Sequence, residues 1–473
     1  MPASARETPD VVVIGMGPGG EDVAGRLADA GLDVVGVDER LVGGECPYYG
    51  CIPSKIMVRS ADLVGEAWRI PGMAGIVRVH PDFHPVARRV REATHNWDDK
   101  AAVDRFTGRG GRFLRGTARL TGPGEVTVLG TDGRETVLMP RQAVVLATGS
   151  EPSTPPVPGL AGTPYWTNRE LIETEELPES LLVLGGGAIG LELGQALQRL
   201  GCAVTVVEVG PRLLGREEPE SSDLVTRVLT GDGVAVHTGT ELASVEYRDG
   251  RFQLICRRGE RLSGERLLVA TGRRVPMDRI GAGVLGIPSD ARVVPIDERC
   301  RVVGTPGVWP VEGWPVGVWA IGDITGKGAF THMSMYQADI TVRAILGQGG
   351  APARYHAVPR VTFTDPEIGA VGLTEADARA QGLPVRAAVT ELAASSRGYI
   401  HGANGNAGFI KLVASGDTLV GATSAGPSGG ELLGLLSLAV SARIPLSELA
   451  ATIWAYPTFH RAVGTAVAEL VQS

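Results

Sequence analysis

Apolar positions along the chain gather into short runs that end at glycine, such as VVVIG (11–15) and LLVLG (181–185). Runs of four or five apolar residues closed by a turn signal predict strands buried on both faces. The two runs open the same longer unit. The first is VVVIGMGPGGEDVAGRLADAG followed by DVVGVDER; the second is LLVLGGGAIGLELGQALQRLG followed by AVTVVEVG. Each reads as a strand, a G-x-G-x-x-G turn, a helix with small residues on one face, and a second strand ending in an acid. That order is a βαβ unit carrying the dinucleotide fingerprint.

The spacing assigns work to each position. Gly15 and Gly185 make the tight turn. Gly17 and Gly187 let the backbone approach a pyrophosphate, and Gly20 and Gly190 let helix and strand pack closely. The pyrophosphate sits at the helix N-terminus, where free amides and the dipole favour negative charge. Asp38 and Glu208 end the second strands, where a carboxylate accepts hydrogen bonds from a ribose. VVLATGS (144–150) and LLVATGRR (267–274) each close a unit with an A-T-G turn, which adds Gly149 and Gly272 to the cofactor-binding candidates. One such motif is weak evidence; two full copies in one chain point to two bound dinucleotides.

From about residue 350 the pattern changes. VPRVTFTDPEIGAVGLTEADA reads as one alternating, half-exposed strand that turns helical. HGANGNAGFIKLVASGDTLVGATSAG reads as two or three antiparallel strands, and helical stretches follow from ELLGLLSLAVSA to the end. The expectation is an α/β fold with two Rossmann-like dinucleotide-binding domains and a C-terminal α+β domain for packing or dimerisation.

Composition adds exclusions. The 473 residues are 43% hydrophobic and 21% charged, an ordinary globular balance. The net charge is -8, with no basic run or basic-aromatic stripe, so no nucleic-acid partner is expected. No apolar run of 18 residues predicts a membrane span. MPASARETPD has no apolar signal-peptide core, and a cytoplasmic protein is expected.

Five cysteines, Cys46, Cys51, Cys202, Cys256 and Cys300, do not make a secreted disulfide framework. The last three read as buried small hydrophobes. Four residues separate Cys46 and Cys51 in GGECPYYGCIPSKIMVRSADLV. Cys51 precedes a predicted helix with Pro53 near its first turn, and a helix N-terminus stabilises a thiolate. No second Cys/His pair of zinc spacing lies nearby, so a metal is not expected.

This segment resembles the G-G-x-C-x-x-x-G-C-[IV]-P-S-K signature of the FAD-dependent pyridine nucleotide-disulfide oxidoreductases. That family includes dihydrolipoamide dehydrogenase, glutathione reductase and mercuric reductase. The likeness extends through AIGDITG (320–326) and both nucleotide motifs. It implies an FAD-binding domain in two parts (1–155 and a central part, 276–348), an NAD(P)-binding domain (156–275) and a dimerisation domain (349–473). It implies that Cys51 faces the flavin, that Cys46 is the interchange thiol, and that Lys55 lies by the flavin and pairs with Glu192. Asp38 would hold the FAD ribose, and Asp323 the ribityl chain. Electrons would pass from NADH through FAD into a Cys46–Cys51 disulfide and on to a small-molecule substrate. Glu208 favours NADH over NADPH, because a carboxylate repels a 2'-phosphate, although Arg212 and Arg216 lie close by. A homodimer is implied, with the C-terminal motif of one subunit completing the active site of the other.

The chain departs from the family at AYPTFHR. Tyr456 stands where the acid/base histidine belongs and Arg461 where its glutamate belongs, while Pro457 and Thr458 are kept. A phenol with a pKa near 10 is a poor base at neutral pH. His460 is a substitute candidate, though helical geometry would turn it away from Tyr456. No cysteine follows Cys300, so the vicinal C-terminal pair of mercuric reductases is not expected here. The principal expectation is a reductase acting through the cysteine pair on a disulfide or other electrophile. The alternatives are a quinone reductase or diaphorase, a mercuric-reductase-like enzyme without a histidine base, and a non-catalytic redox sensor.

Overall fold

The computed structural model describes residues 5–303, 316–402 and 405–472. They form two compact units. One comprises Met1–Pro53, Arg91–Ser153 and Arg273–Tyr355; the other comprises Ser54–Val90, Thr154–Gly272 and His356–Ser473.

The first unit is built on an eight-stranded sheet. Its parallel part places Val11–Ile14 between Val34–Asp38 and Ala143–Leu146, with Gly317–Ala320 beyond and the start of Arg112–Gly122 on the other flank. Arg112–Gly122 then turns into an antiparallel meander with Glu125–Gly130 and Glu135–Leu138. The four neighbouring parallel strands Val34–Asp38, Val11–Ile14, Ala143–Leu146 and Gly317–Ala320 read as largely apolar runs because both faces are covered. Val12, Val35, Val144 and Val318 fill one core, and Val11, Val34, Val145 and Trp319 the other. Helices Pro18–Asp29 and Thr331–Ile345 pack together.

The second unit holds a parallel sheet in the order Ala235–His237, Ala203–Val207, Ser180–Leu184, Arg266–Val269. A three-stranded antiparallel sheet, Leu242–Gly264, joins its core through Val245, Phe252 and Leu254. The C-terminal region forms a five-stranded antiparallel sheet backed by helices Gly429–Ser441 and His460–Gln472.

One reading of that region needs correction and another holds. The segment expected to be one alternating strand is two, Pro359–Thr362 and Glu367–Gly372, paired antiparallel. Thr364–Pro366 breaks the run, and the second strand is buried along Ile368–Val371 under helix Gly429–Ser441. Of the two or three strands expected between 401 and 426, two are seen, Phe409–Ser415 and Thr418–Gly426. Among the described residues no helix is long and apolar enough to cross a membrane.

Candidate functional site

Both glycine loops follow the same geometry. Gly15 and Gly185 have φ of +94° and +116°, and a Cβ on either would lie 2.4 Å from a carbonyl oxygen, that of Ala147 or Ala270. Those alanines begin the two A-T-G turns, whose Gly149 and Gly272 also have positive φ. A Cβ on Gly20 would lie 2.0 Å from the Gly15 oxygen, and one on Gly190 2.4 Å from the Gly185 oxygen. Backbone contact therefore excludes a side chain at these positions.

Gly17 and Gly187 differ. Their φ values of -68° and -90° suit any residue, and an added Cβ would meet no protein atom within 4 Å. Each caps a twelve-residue helix without a side-chain hydrogen bond. Two open cradles thus face two uncapped helix N-termini. This is the arrangement a dinucleotide pyrophosphate requires, and the residues fit two such groups.

The acids close the loops identically. Asp38 accepts from the Met16 N–H at 2.7 Å, and Glu208 from the Gly186 N–H at 2.6 Å. Their second oxygens take the N–H groups of Arg40 and Gly210 at 2.7 and 2.6 Å. Burial pushes the Asp38 carboxyl up, against the pull of these two bonds. Arg212 is committed to loop carbonyls, donating to Leu214 and Gly215 at 3.4 and 2.9 Å.

Asp323 lies on the turn Gly322–Thr325, directly after strand Gly317–Ala320. The Ser150 hydroxyl donates to it at 2.5 Å. Arg273 braces this group. Its guanidinium donates to Ser150 Oγ and O at 2.7 and 2.6 Å and lies 3.8 Å from Asp323 and 3.9 Å from Glu45. The sequence reading did not find Arg273; its place directly after the second A-T-G turn was the available signal.

Cys46 lies on the short helix Glu45–Tyr48, and Cys51 is the first residue of helix Cys51–Trp68. Neither cysteine is in a disulfide among the described residues. Cys51 Sγ is 3.3 Å from the hydroxyl of Thr331, which opens helix Thr331–Ile345. The exposed Cys51 thus sits at one helix N-terminus and beside another, a setting that favours a thiolate. A hydrogen bond to Cys51, with burial second, pushes the Cys46 thiol up. Thr331 was also missed, since nothing in its local pattern marks it.

In the other unit, Lys55 and Glu192 meet at 2.6 Å although 137 residues separate them. Glu192 is buried, and its second oxygen accepts from the Phe363 N–H at 2.8 Å. The Lys55 ammonium also lies 4.8 Å from the Phe363 ring centroid. Tyr456 is 66% exposed, with the Arg461 guanidinium 5.4 Å from its ring centroid. His460 is exposed at the start of helix His460–Gln472. Cys202, Cys256 and Cys300 are buried, as expected of small hydrophobes. Among the described residues no His/Cys/Asp/Glu group could hold a metal.

Residues 9–338 match the pyridine nucleotide-disulphide oxidoreductase family, and residues 358–467 match its dimerisation domain. The chain belongs to this family. It is 33% identical to a mercuric reductase of Acidithiobacillus ferrooxidans over 95% of its own length and 80% of that protein. It is 32% identical to a dihydrolipoyl dehydrogenase of Chlorobaculum tepidum, over 98% of its length and 97% of the relative. The HOCl-induced flavoprotein disulfide reductase RclA of Escherichia coli, solved as a Cu(II) complex, superposes with a TM-score of 0.83 at 24% identity, covering 98% of this chain and all of that one. LpdA of Mycobacterium tuberculosis gives 0.82, also at 24%, covering 98% and 99%. These two establish the shared fold. As a pyridine nucleotide-disulphide oxidoreductase the chain is an enzyme that uses FAD and NAD(P)H, and its dimerisation domain makes it a homodimer.

Proposed function

We propose that this enzyme passes two electrons from NADH to the Cys46–Cys51 pair and from there to a small disulfide or another electrophile. The hydrogen-bonded dithiol at the start of helix Cys51–Trp68 carries the reading. FAD, when bound, supplies the acceptor for nicotinamide hydride and the donor of an electron pair to a disulfide. The residues around Gly17, with Asp38, Gly149 and Asp323, would hold it. Those around Gly187, with Glu208 and Gly272, would hold NADH.

Cys51 would carry the thiolate and Cys46 would exchange with substrate. Lys55, held by Glu192, would keep a positive charge near the redox centre. Glu208 favours NADH because its carboxylate would repel a 2'-phosphate, and Arg212 is already engaged. The subunit pair would set Tyr456 and His460 against Cys46 of the partner subunit. We assign the enzyme to the cytoplasm, where a dithiol stays reduced.

Tyr456 and Arg461 favour a second reading, a quinone reductase or diaphorase that needs no histidine base. Anaerobic NADH titration separates the two. A long-wavelength absorption band present in the wild type and lost in Cys51→Ser supports the thiol route. Flavin bleaching without that band, with undiminished quinone turnover in Cys46→Ser, supports the second.

A further inference from the structure

Three consecutive residues that are not glycine, His95, Asn96 and Trp97, hold left-handed backbone at φ of 52°, 52° and 57°. Such strain persists only where the surroundings over-determine it. The turn is closed by the Trp97 N–H on the Thr94 carbonyl at 2.9 Å and the Asp98 N–H on the His95 carbonyl at 3.1 Å. Thr94 itself is fully buried. The strained turn delivers the indole of Trp97 to the redox loop. Its Nε1 donates to the Tyr48 carbonyl at 3.3 Å, and its ring stacks on Tyr49 with centroids 6.5 Å apart. Two residues further on, the buried Asp99 carboxylate accepts from the Val42 N–H at 2.6 Å and from Arg115 at 2.5 Å. The segment therefore grips the loop twice, four residues before Cys46 and again between the two cysteines.

We propose that Trp97 is a positioning residue for the redox pair, holding the spacer Pro47-Tyr48-Tyr49-Gly50 so that the two sulfurs stay within reach of each other. This rests on the reading of Cys46 and Cys51 as the redox pair. Closing the disulfide breaks two S–H bonds, forms one S–S bond, and passes two electrons and two protons to a disulfide oxidant such as oxidised glutathione, whose S–S bond breaks to give two thiols. A loosened spacer lowers the effective concentration of one thiol at the other, so closure becomes less favourable.

The test equilibrates wild-type, Trp97→Ala and Trp97→Phe holoenzyme anaerobically in graded dithiothreitol and glutathione redox buffers. Thiols are then trapped with iodoacetamide, and the Cys46–Cys51 peptide is weighed by mass spectrometry. Trp97→Ala should move the equilibrium about tenfold toward the dithiol, the response to about 30 mV for a two-electron couple. Trp97→Phe keeps the ring and loses the N–H, and should move it about threefold by the same relation. Values within twofold of wild type in both variants, or a shift toward the disulfide, overturn the brace. If Trp97→Ala does not fold, Trp97→Phe decides by the same criterion. A wild-type pair that forms no disulfide even in oxidised glutathione alone overturns the redox-pair reading itself, which is a separate failure.

Discussion

Asp62 shares one buried guanidinium with two other carboxylates, and its replacement by Asn tests what that crowding costs. The Arg199 side chain is 1% exposed and lies 2.8 Å from both Asp232 and Asp365 and 3.4 Å from Asp62. Asp365 has a second partner in Arg69. Asp62 is thus the weakest-held of the three. Burial first, then the Asp365 charge and, more weakly, Glu367, push its carboxyl up to about 7, against the pull of Arg199 and Arg59. A raised folded-state pKa means that the folded protein binds the proton more tightly than the unfolded chain. The resulting stability is fully present below about pH 4 and is lost as pH rises through about 7. A shift of about three units corresponds to about 4 kcal/mol. The Asp62 side chain is 30% exposed, so solvent screening should leave about 2 kcal/mol. Asn cannot ionise and mimics the protonated acid. Urea unfolding of FAD-saturated wild type and Asp62→Asn should give coincident midpoints near pH 4. The variant should become progressively more stable toward pH 8. A difference that does not vary with pH, or a variant less stable at pH 8, would refute the reasoning.

Lys411 is buried and held by Glu218, Glu220 and Glu375 at 2.8–3.1 Å. Lys411→Ala should cost about 3–5 kcal/mol in urea unfolding, because it strands the buried Glu218; a loss below about 1 kcal/mol counts against this. Burial pushes Cys202 up to about 12 and Cys300 up to about 11. Iodoacetamide on the native reduced enzyme at pH 7.5 should therefore label Cys51 before either, and early labelling of Cys300 would contradict the placement. Glu208→Ala should lose about tenfold of any preference for NADH over NADPH, in line with a hydrogen bond to a charged group, as read from the KM values for the two cofactors. An unchanged ratio would remove Glu208 from the selectivity.

What the sequence determined by itself was local. The glycines of each loop, the turn they make and the acid that closes it lie within about two dozen residues of one another. Strand, turn and helix geometry fixes their relation at that range. The same holds for the cysteine pair and the helix that Cys51 opens. The segment 359–372 was misread as one strand because apolar runs show burial and not where a sheet reverses. Thr364–Pro366 was the break, and the run on either side hid it. Lys55 and Glu192 are 137 residues apart, and only the family resemblance had paired them. Thr331 beside Cys51, Arg273 over Asp323 and Trp97 under the cysteine spacer came from the tertiary structure alone. Each is a polar or aromatic residue whose partner lies far along the chain, and periodicity carries no record of such a partner. The upward push on the Cys46 thiol is set the same way, by a neighbouring sulfur and by burial that exist only once the chain has folded.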